Sequence, residues 1–204
     1  MIGIIKRSSA PKRRLVLMVK VPKPGRVKTR LARDIGSIPA TWWFRHQSSD
    51  LLRRLSQDPR WETILAVAPD CEGVSSRVWP HQIARIPQGT GDLGARMRGV
   101  FETLSDGPTM IIGADIPNIR PAYIWQGFRD LGRNDAVFGP APDGGYWAIG
   151  LRGGARPIPA TIFQGVRWSS ETALEDTIAS LGTNKIGYMP QLRDVDRGVD
   201  LDRA

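Results

Sequence analysis

Leu15-Val16-Leu17-Met18-Val19 runs directly into Lys20-Val21-Pro22-Lys23-Pro24-Gly25-Arg26-Val27-Lys28-Thr29-Arg30, and the step between the two stretches decides the fold. A short, unbroken apolar run stopped by a loop rich in proline reads as a strand buried on both faces. Strands of that kind belong to parallel sheets covered by helices. The same succession returns twice. The run 109–112 leads into Gly113-Ala114-Asp115-Ile116-Pro117, and the run 135–138 leads into Gly139-Pro140-Ala141-Pro142-Asp143-Gly144-Gly145-Tyr146. The first loop is flexible and cationic, whereas each of the other two carries one acid.

Working outward, 63–68 and 146–151 read as further strands, with short ones at 83–86 and 185–189. Apolar residues at helical spacing mark 40–55, where Trp43, Phe44, Leu51, Leu52 and Leu55 can share a face. The stretch 93–104 follows the glycine-rich Gln88–Gly94 loop, 121–131 has Pro121 in its first turn, and 169–181 opens on Ser-Ser-Glu. Alternating strands and helices imply an α/β protein: a three-layer α/β/α arrangement with a mixed, mostly parallel sheet. Residues 14–204 are expected to form one domain behind a basic, flexible arm at 1–13. Ligands of such sheets sit at the carboxyl ends of strands. All three loops leave those ends, so they are expected to meet at one site.

Composition narrows the chemistry. No apolar stretch of the 204-residue chain approaches the roughly 20 residues of a membrane span. Cys71 is the only cysteine, which excludes an internal disulfide and makes a reducing cytoplasm the expected location. With His46 and His81 the only histidines, no zinc ligand set can be drawn, and a metal here would be oxygen-bound. The excess of 29 Lys and Arg over 20 Asp and Glu gives a net charge of +9. Such a field attracts nucleic acid, acidic lipid or phosphorylated small molecules. The charges outside 6–33 are scattered, without aromatic interleaving, so nucleic acid is set aside as the main partner. A non-catalytic nucleic-acid or acidic-partner binder stays as the alternative of another class.

Each loop has a chemical and a purely structural reading. Gly25 frees backbone N–H groups to approach an anion, while Lys28 and Arg30 offer a point charge and a planar fork to phosphate oxygens. A helix beginning near Val27 would add its dipole. The loop is not a P-loop, which would need glycine where Pro22 and Val27 stand, and a solvated basic turn is the bland alternative. Asp115 ends an apolar strand, where one carboxylate can hold magnesium together with substrate phosphates or merely bond its own turn. Asp143-Gly144-Gly145 suits a hairpin, and equally a ligand lying on bare backbone. Asp92 reads first as a helix cap and second as a substrate contact. Asp194, Asp196, Asp200 and Asp202 read as a solvated edge, from which Asp194 or Asp196 could close over a metal.

Taken in order, Lys20-x-Pro-x-Pro-Gly25-x-Val-Lys28-Thr29-Arg30-Leu31-Ala32, Gly91-Asp92-Leu93-Gly94-x-Arg96-Met97, Gly113-x-Asp115-x-Pro117, Gly139-Pro-Ala-x-Asp143-Gly-Gly-Tyr146 with Ile149-Gly150-Leu151, Phe163-x-x-x-x-Trp168-Ser169 and Asp194-Val195-Asp196 resemble a bacterial family. It is the radical-SAM/selenodomain-associated transferase 1 family, also described as DUF2064-like. The resemblance spans about residues 14 to 202. It implies the GT-A, nucleotide-diphospho-sugar transferase-like fold and kinship with phospholactate and molybdopterin guanylyltransferases. It also implies that Gly25, Arg26, Lys28 and Arg30 form a nucleotide phosphate loop, that Asp115 is the metal position, and that Asp143, Gly144 and Gly145 form a second active-site loop. Ala114 and Trp147 depart from the family's usual serine and tyrosine.

The expected function is therefore a transferase dependent on Mg2+ (or Mn2+) that uses a nucleotide-activated donor. Glycosyl transfer from a nucleotide diphosphate sugar comes first, and guanylyltransferase-like nucleotidyl transfer to a small phosphorylated acceptor is the alternative. Catalysis is assigned to Asp115, Asp143 and Lys28, and donor binding to Pro24, Gly25, Arg26, Lys28, Arg30, Asp92, Gly144 and Gly145. The metal is assigned to Asp115, with Asp143 or Asp196 as further candidates. The acceptor and the oligomeric state stay open.

Overall fold

The computed structural model describes residues 12–183 and 185–202. The basic arm expected at 1–13 falls outside them except for Lys12 and Arg13. Seven strands form one sheet: β1 (Arg14–Lys20), β2 (Glu62–Ala68), β3 (Ala84–Pro87), β4 (Thr109–Gly113), β5 (Ala136–Pro140), β6 (Tyr146–Leu151) and β7 (Ile186–Tyr188). Their order across the sheet is β3-β2-β1-β4-β6-β5-β7. Only β6 runs against its neighbours β4 and β5; the other pairings are parallel. The mixed, mostly parallel sheet expected from the sequence is thus present. β6 is antiparallel because the Asp143-Gly144-Gly145 turn is a hairpin.

Two apolar layers flank the sheet. One joins Leu15, Leu17, Leu65 and Ile112 to α2 (Ser37–Ser56) and α5 (Pro121–Asp130) through Leu51, Leu52, Leu55, Ile124 and Phe128. The other joins Val16, Ile64, Ile111 and Ile149 to α4 (Leu93–Thr103) and α6 (Ala173–Leu181) through Met97, Val100, Phe101 and Leu181. Successive residues of β1 therefore serve opposite cores, which is why its sequence is apolar from Leu15 to Val19. Short helices α1 (Thr29–Ile35), α3 (Asp70–Ser75) and α7 (Gly198–Leu201) occupy connections.

Two helix starts differ from expectation. The helix expected near Val27 begins at Thr29, because Lys28 takes a left-handed conformation, φ 48° and ψ 46°. The helix expected from Ser169 begins at Ala173, because Ser169 is also left-handed at φ 60°. Ser170 Oγ donates to Arg167 O and accepts from Thr172 N, holding that segment as a turn.

Gly144 fixes the hairpin against this turn. Its φ is +83°, and an added Cβ would fall 2.0 Å from the Glu171 carbonyl oxygen. Its own carbonyl accepts from Leu174 N at 3.0 Å. Gly144→Ala is expected to lower stability by about 2 kcal/mol, from left-handed strain and forced separation of the two segments. A fall in the urea midpoint at an unchanged m-value would be the reading; an unmoved midpoint would contradict it.

Candidate active site

Because β1 and β4 are parallel neighbours with Met18 opposite Gly113, the loops that follow them leave the sheet side by side. The first loop turns on Gly25, φ +75°, and delivers Lys28 as the residue before α1. Left-handed backbone at a lysine is unfavourable by about 1–2 kcal/mol. Here it sends the side chain toward the sheet instead of along the helix. The Lys28 ammonium lies 2.5 Å from Asp115 Oδ2 and 3.4 Å from Asp196 Oδ1, with the side chain only 6% exposed. Burial works against its charge, yet Asp115, Asp196 and Asp194 outweigh that penalty and hold its pKa above the ordinary lysine value.

The C-terminal segment closes the third side. Since β7 runs parallel to β5, its following loop emerges at the same edge, where Val195 N donates to Asp115 O at 3.2 Å. Asp200 Oδ2 accepts from the backbone of Asp196 and Arg197, and Asp34 accepts from Gly198 N. Asp196 then bonds Arg30 at 2.6 Å. Burial would raise the Asp196 carboxyl, but Arg30 and Lys28 hold it below the usual carboxylate range. Asp194 receives the opposite treatment. Burial first, then the Asp115 carboxylate, push it up to about 6 against the pull of Lys28, with Asp196 and Asp143 adding to the rise.

Two clefts meet at Asp115. The first, about 440 Å³, is lined by Lys20, Arg26, Lys28, Arg30 and Asp196 over a floor that includes Gln88. The second, about 190 Å³, is lined by Asp143, Gly145, Trp168, Ser169 and Asp194. The loops expected to converge do so. Pro24 and Gly25 lie on the exposed part of the first loop, outside both linings, and Gly144 is spent on the contact with Glu171. Asp92 caps α4, its Oδ1 accepting from Ala95 N at 2.8 Å. Asp143 Oδ1 accepts from Gly145 N, which leaves Oδ2 for other partners.

Gln88 and Trp168 were not singled out as site residues by the sequence reading. Gln88 Nε2 donates to Val19 O and Ala66 O, stitching the ends of β1 and β2 beneath the first cleft. Its place directly after the short strand and before the glycine-rich loop is the signal that could have found it. Among the described residues no three His, Cys, Asp or Glu side chains gather into a metal cage. The donor set at the junction is nonetheless all carboxylate oxygen, and magnesium commonly takes one or two protein carboxylates and completes its shell with phosphates and water. The residues present therefore fit a hard divalent ion brought in with a phosphorylated ligand.

The fold is that of nucleotide-diphospho-sugar transferase-like proteins. The chain belongs to the family described as uncharacterized protein conserved in bacteria (DUF2064), whose model matches residues 51–170. Among solved structures it is similar to a candidate nucleotide-diphospho-sugar transferase from Desulfovibrio desulfuricans G20, at 28% identity and TM-score 0.78, covering 92% of this chain and 84% of that one. The fold is shared with a 4-diphosphocytidyl-2C-methyl-D-erythritol synthase from Anaerococcus prevotii at 10% identity and TM-score 0.60, over 95% and 96% of the two chains. It is shared also with glucosyl-3-phosphoglycerate synthase from Mycobacterium tuberculosis at 13% identity and TM-score 0.53, over 95% and 75%. Comparison with curated proteins gives no match.

Asp194 yields a prediction about pH. Its folded pKa of about 6 lies above the ordinary 3.8, so its ionisation opposes folding: stability is lost as pH rises from about 4 through 6, and the loss is complete above that. Asp194→Asn should therefore stabilise the ligand-free protein by about 1 kcal/mol above pH 6, after discounting for solvent screening, and by little near pH 4. Thermal melts across that range test it; an equal effect at both ends would refute it.

Proposed function

We propose that residues 14–204 act as one metal-dependent transferase unit that takes a nucleotide-activated donor, with glycosyl transfer from a nucleotide diphosphate sugar as its reaction. The observation that carries this reading is the buried Lys28–Asp115 pair at the junction of a cationic cleft and an acidic one. A diphosphate with its divalent ion is itself a paired anion and cation. It can take over these two side chains partner for partner, Lys28 with Arg30 and Arg26 turning to phosphate oxygens and Asp115 to the ion. Asp194 or Asp196 would add a second carboxylate, and Asp143, in the lining of the second cleft, is the further candidate. When bound, the ion supplies positive charge that stabilises the departing diphosphate.

In the transfer itself the acceptor hydroxyl oxygen bonds to the anomeric carbon of the sugar. The bond from that carbon to the diphosphate oxygen breaks, and its electron pair leaves on the diphosphate. The acceptor's proton passes to the unbonded oxygen of Asp143. Lys28 and Arg30, turned to the phosphate oxygens when the donor binds, would already face the charge that develops on the diphosphate as the bond breaks. The same donor cleft would serve nucleotidyl transfer to a phosphorylated acceptor, and proteins of this fold include both kinds. A divalent ion is supported by the glucosyl-3-phosphoglycerate synthase, solved with Mn2+ and UDP.

Thermal denaturation with UDP, GDP, CDP and their sugars, with and without magnesium or manganese, tests the reading. A nucleotide at a hundredfold excess over its dissociation constant adds about 2.7 kcal/mol. Asp115→Asn is expected to remove the metal-dependent part of that gain, and Lys28→Ala most of the nucleotide-dependent part. Metal-dependent stabilisation that survives in Asp115→Asn would overturn the assignment.

A further inference from the structure

The two clefts have opposite electrical character in a protein of net charge +9. Lys20, Arg26, Lys28 and Arg30 line the first. The second holds the carboxylates of Asp115, Asp143 and Asp194 and, among the described residues, no lysine or arginine. Its other lining is aromatic, aliphatic and hydroxylic. The half-buried Trp168 packs on Phe163, with ring centroids 6.0 Å apart, and rests against α4 where Gly94 makes room: a Cβ there would come within 2.8 Å of the indole. Ser169 and Ser170 lie beside it. The opening, about 190 Å³, is below the roughly 300–1,000 Å³ of sites that enclose drug-sized ligands.

Resting on the transferase reading above, we infer that the second cleft takes an uncharged, hydroxyl-bearing acceptor about one sugar ring in size, laid on the face of Trp168, and excludes phosphorylated acceptors. An apolar ring face against indole with hydroxyls directed at carboxylates and serines satisfies both halves of this lining. A phosphate ester placed there would face carboxylates on several sides, and the cations that border the cleft, Lys28 at Asp115 and the ion brought in with the donor, are already committed to the donor diphosphate and to Asp115. Unpaired like charge is a strong device for rejecting a wrong partner. The lining thereby selects among acceptors, since a transferase acting on a phosphorylated acceptor needs cations where this chain has acids.

The test uses the full chain and two independent measurements. Saturation-transfer NMR compares methyl α-D-glucopyranoside and methyl α-D-mannopyranoside with glucose 6-phosphate and 3-phosphoglycerate, and thermal shift with UDP or GDP plus magnesium reads the donor cleft separately. The neutral glycosides are expected to bind at least tenfold more tightly than the phosphate esters, and Trp168→Ala to weaken them at least tenfold. Asp143→Lys, a change at an exposed turn, should shift the preference toward the esters even if the tryptophan variant folds poorly. Equal or tighter binding of the phosphate esters, or no binding of the glycosides, overturns the inference. Glycoside binding without any nucleotide effect would instead remove the donor assignment and leave the acceptor cleft standing.

Discussion

A lysine charge that is almost wholly shielded from water must be met by an opposite charge, and at Lys28 that requirement organises the whole carboxyl edge of the sheet. Its partner Asp115 comes from the next strand, and the third member, Asp196, from a segment 168 residues away in sequence. The arrangement tolerates a left-handed backbone at Lys28 because the side chain gains two carboxylates by adopting it. Gly25, Gly113 and the Val195–Asp115 backbone bond are accommodations to the same contact. At Gly113 an added Cβ would press on Asp115 Oδ1 at 3.1 Å and on Ile116.

The layered fold was legible because burial on both faces writes itself as unbroken apolar runs. Residues 15–19, 63–68 and 109–112 could hardly be anything but central strands, and the four longer amphipathic stretches could only cover them. Backbone departures are another matter. Nothing in Val27-Lys28-Thr29 announces that the lysine is left-handed, since glycine and asparagine are the usual markers of that conformation. The later start of α6 was hidden for the same reason at Ser169. The short helices α3 and α7 were missed because a turn or two carries too little periodicity to detect.

Within the site, the strand-end logic placed Lys28, Arg30, Asp115 and Asp143 in the right neighbourhood. It undervalued Asp194 and Asp196, because their position depends on β7 pairing in parallel with β5 at the sheet margin. Strand order is a long-range property, and a run of acids near the end of a chain looks the same whether solvated or folded inward. The Asp92 cap was readable by itself, being a local relation between one side chain and the next turn. Overall charge misleads in a comparable way: the excess of cations says nothing of the acid-lined hollow beside Trp168.

The hydrogen bonds that Val195 N and Gly198 N donate to Asp115 O and Asp34 Oδ2 have a bearing on biogenesis. Strands β1 and β4 and the loop after β1 can form while the rest of the polypeptide is still being translated, but the cleft acquires its last wall only after β7 has docked. A nascent chain stalled before that point would present Lys28 and Asp115 without Asp196, so this pocket gains its last wall long after its first.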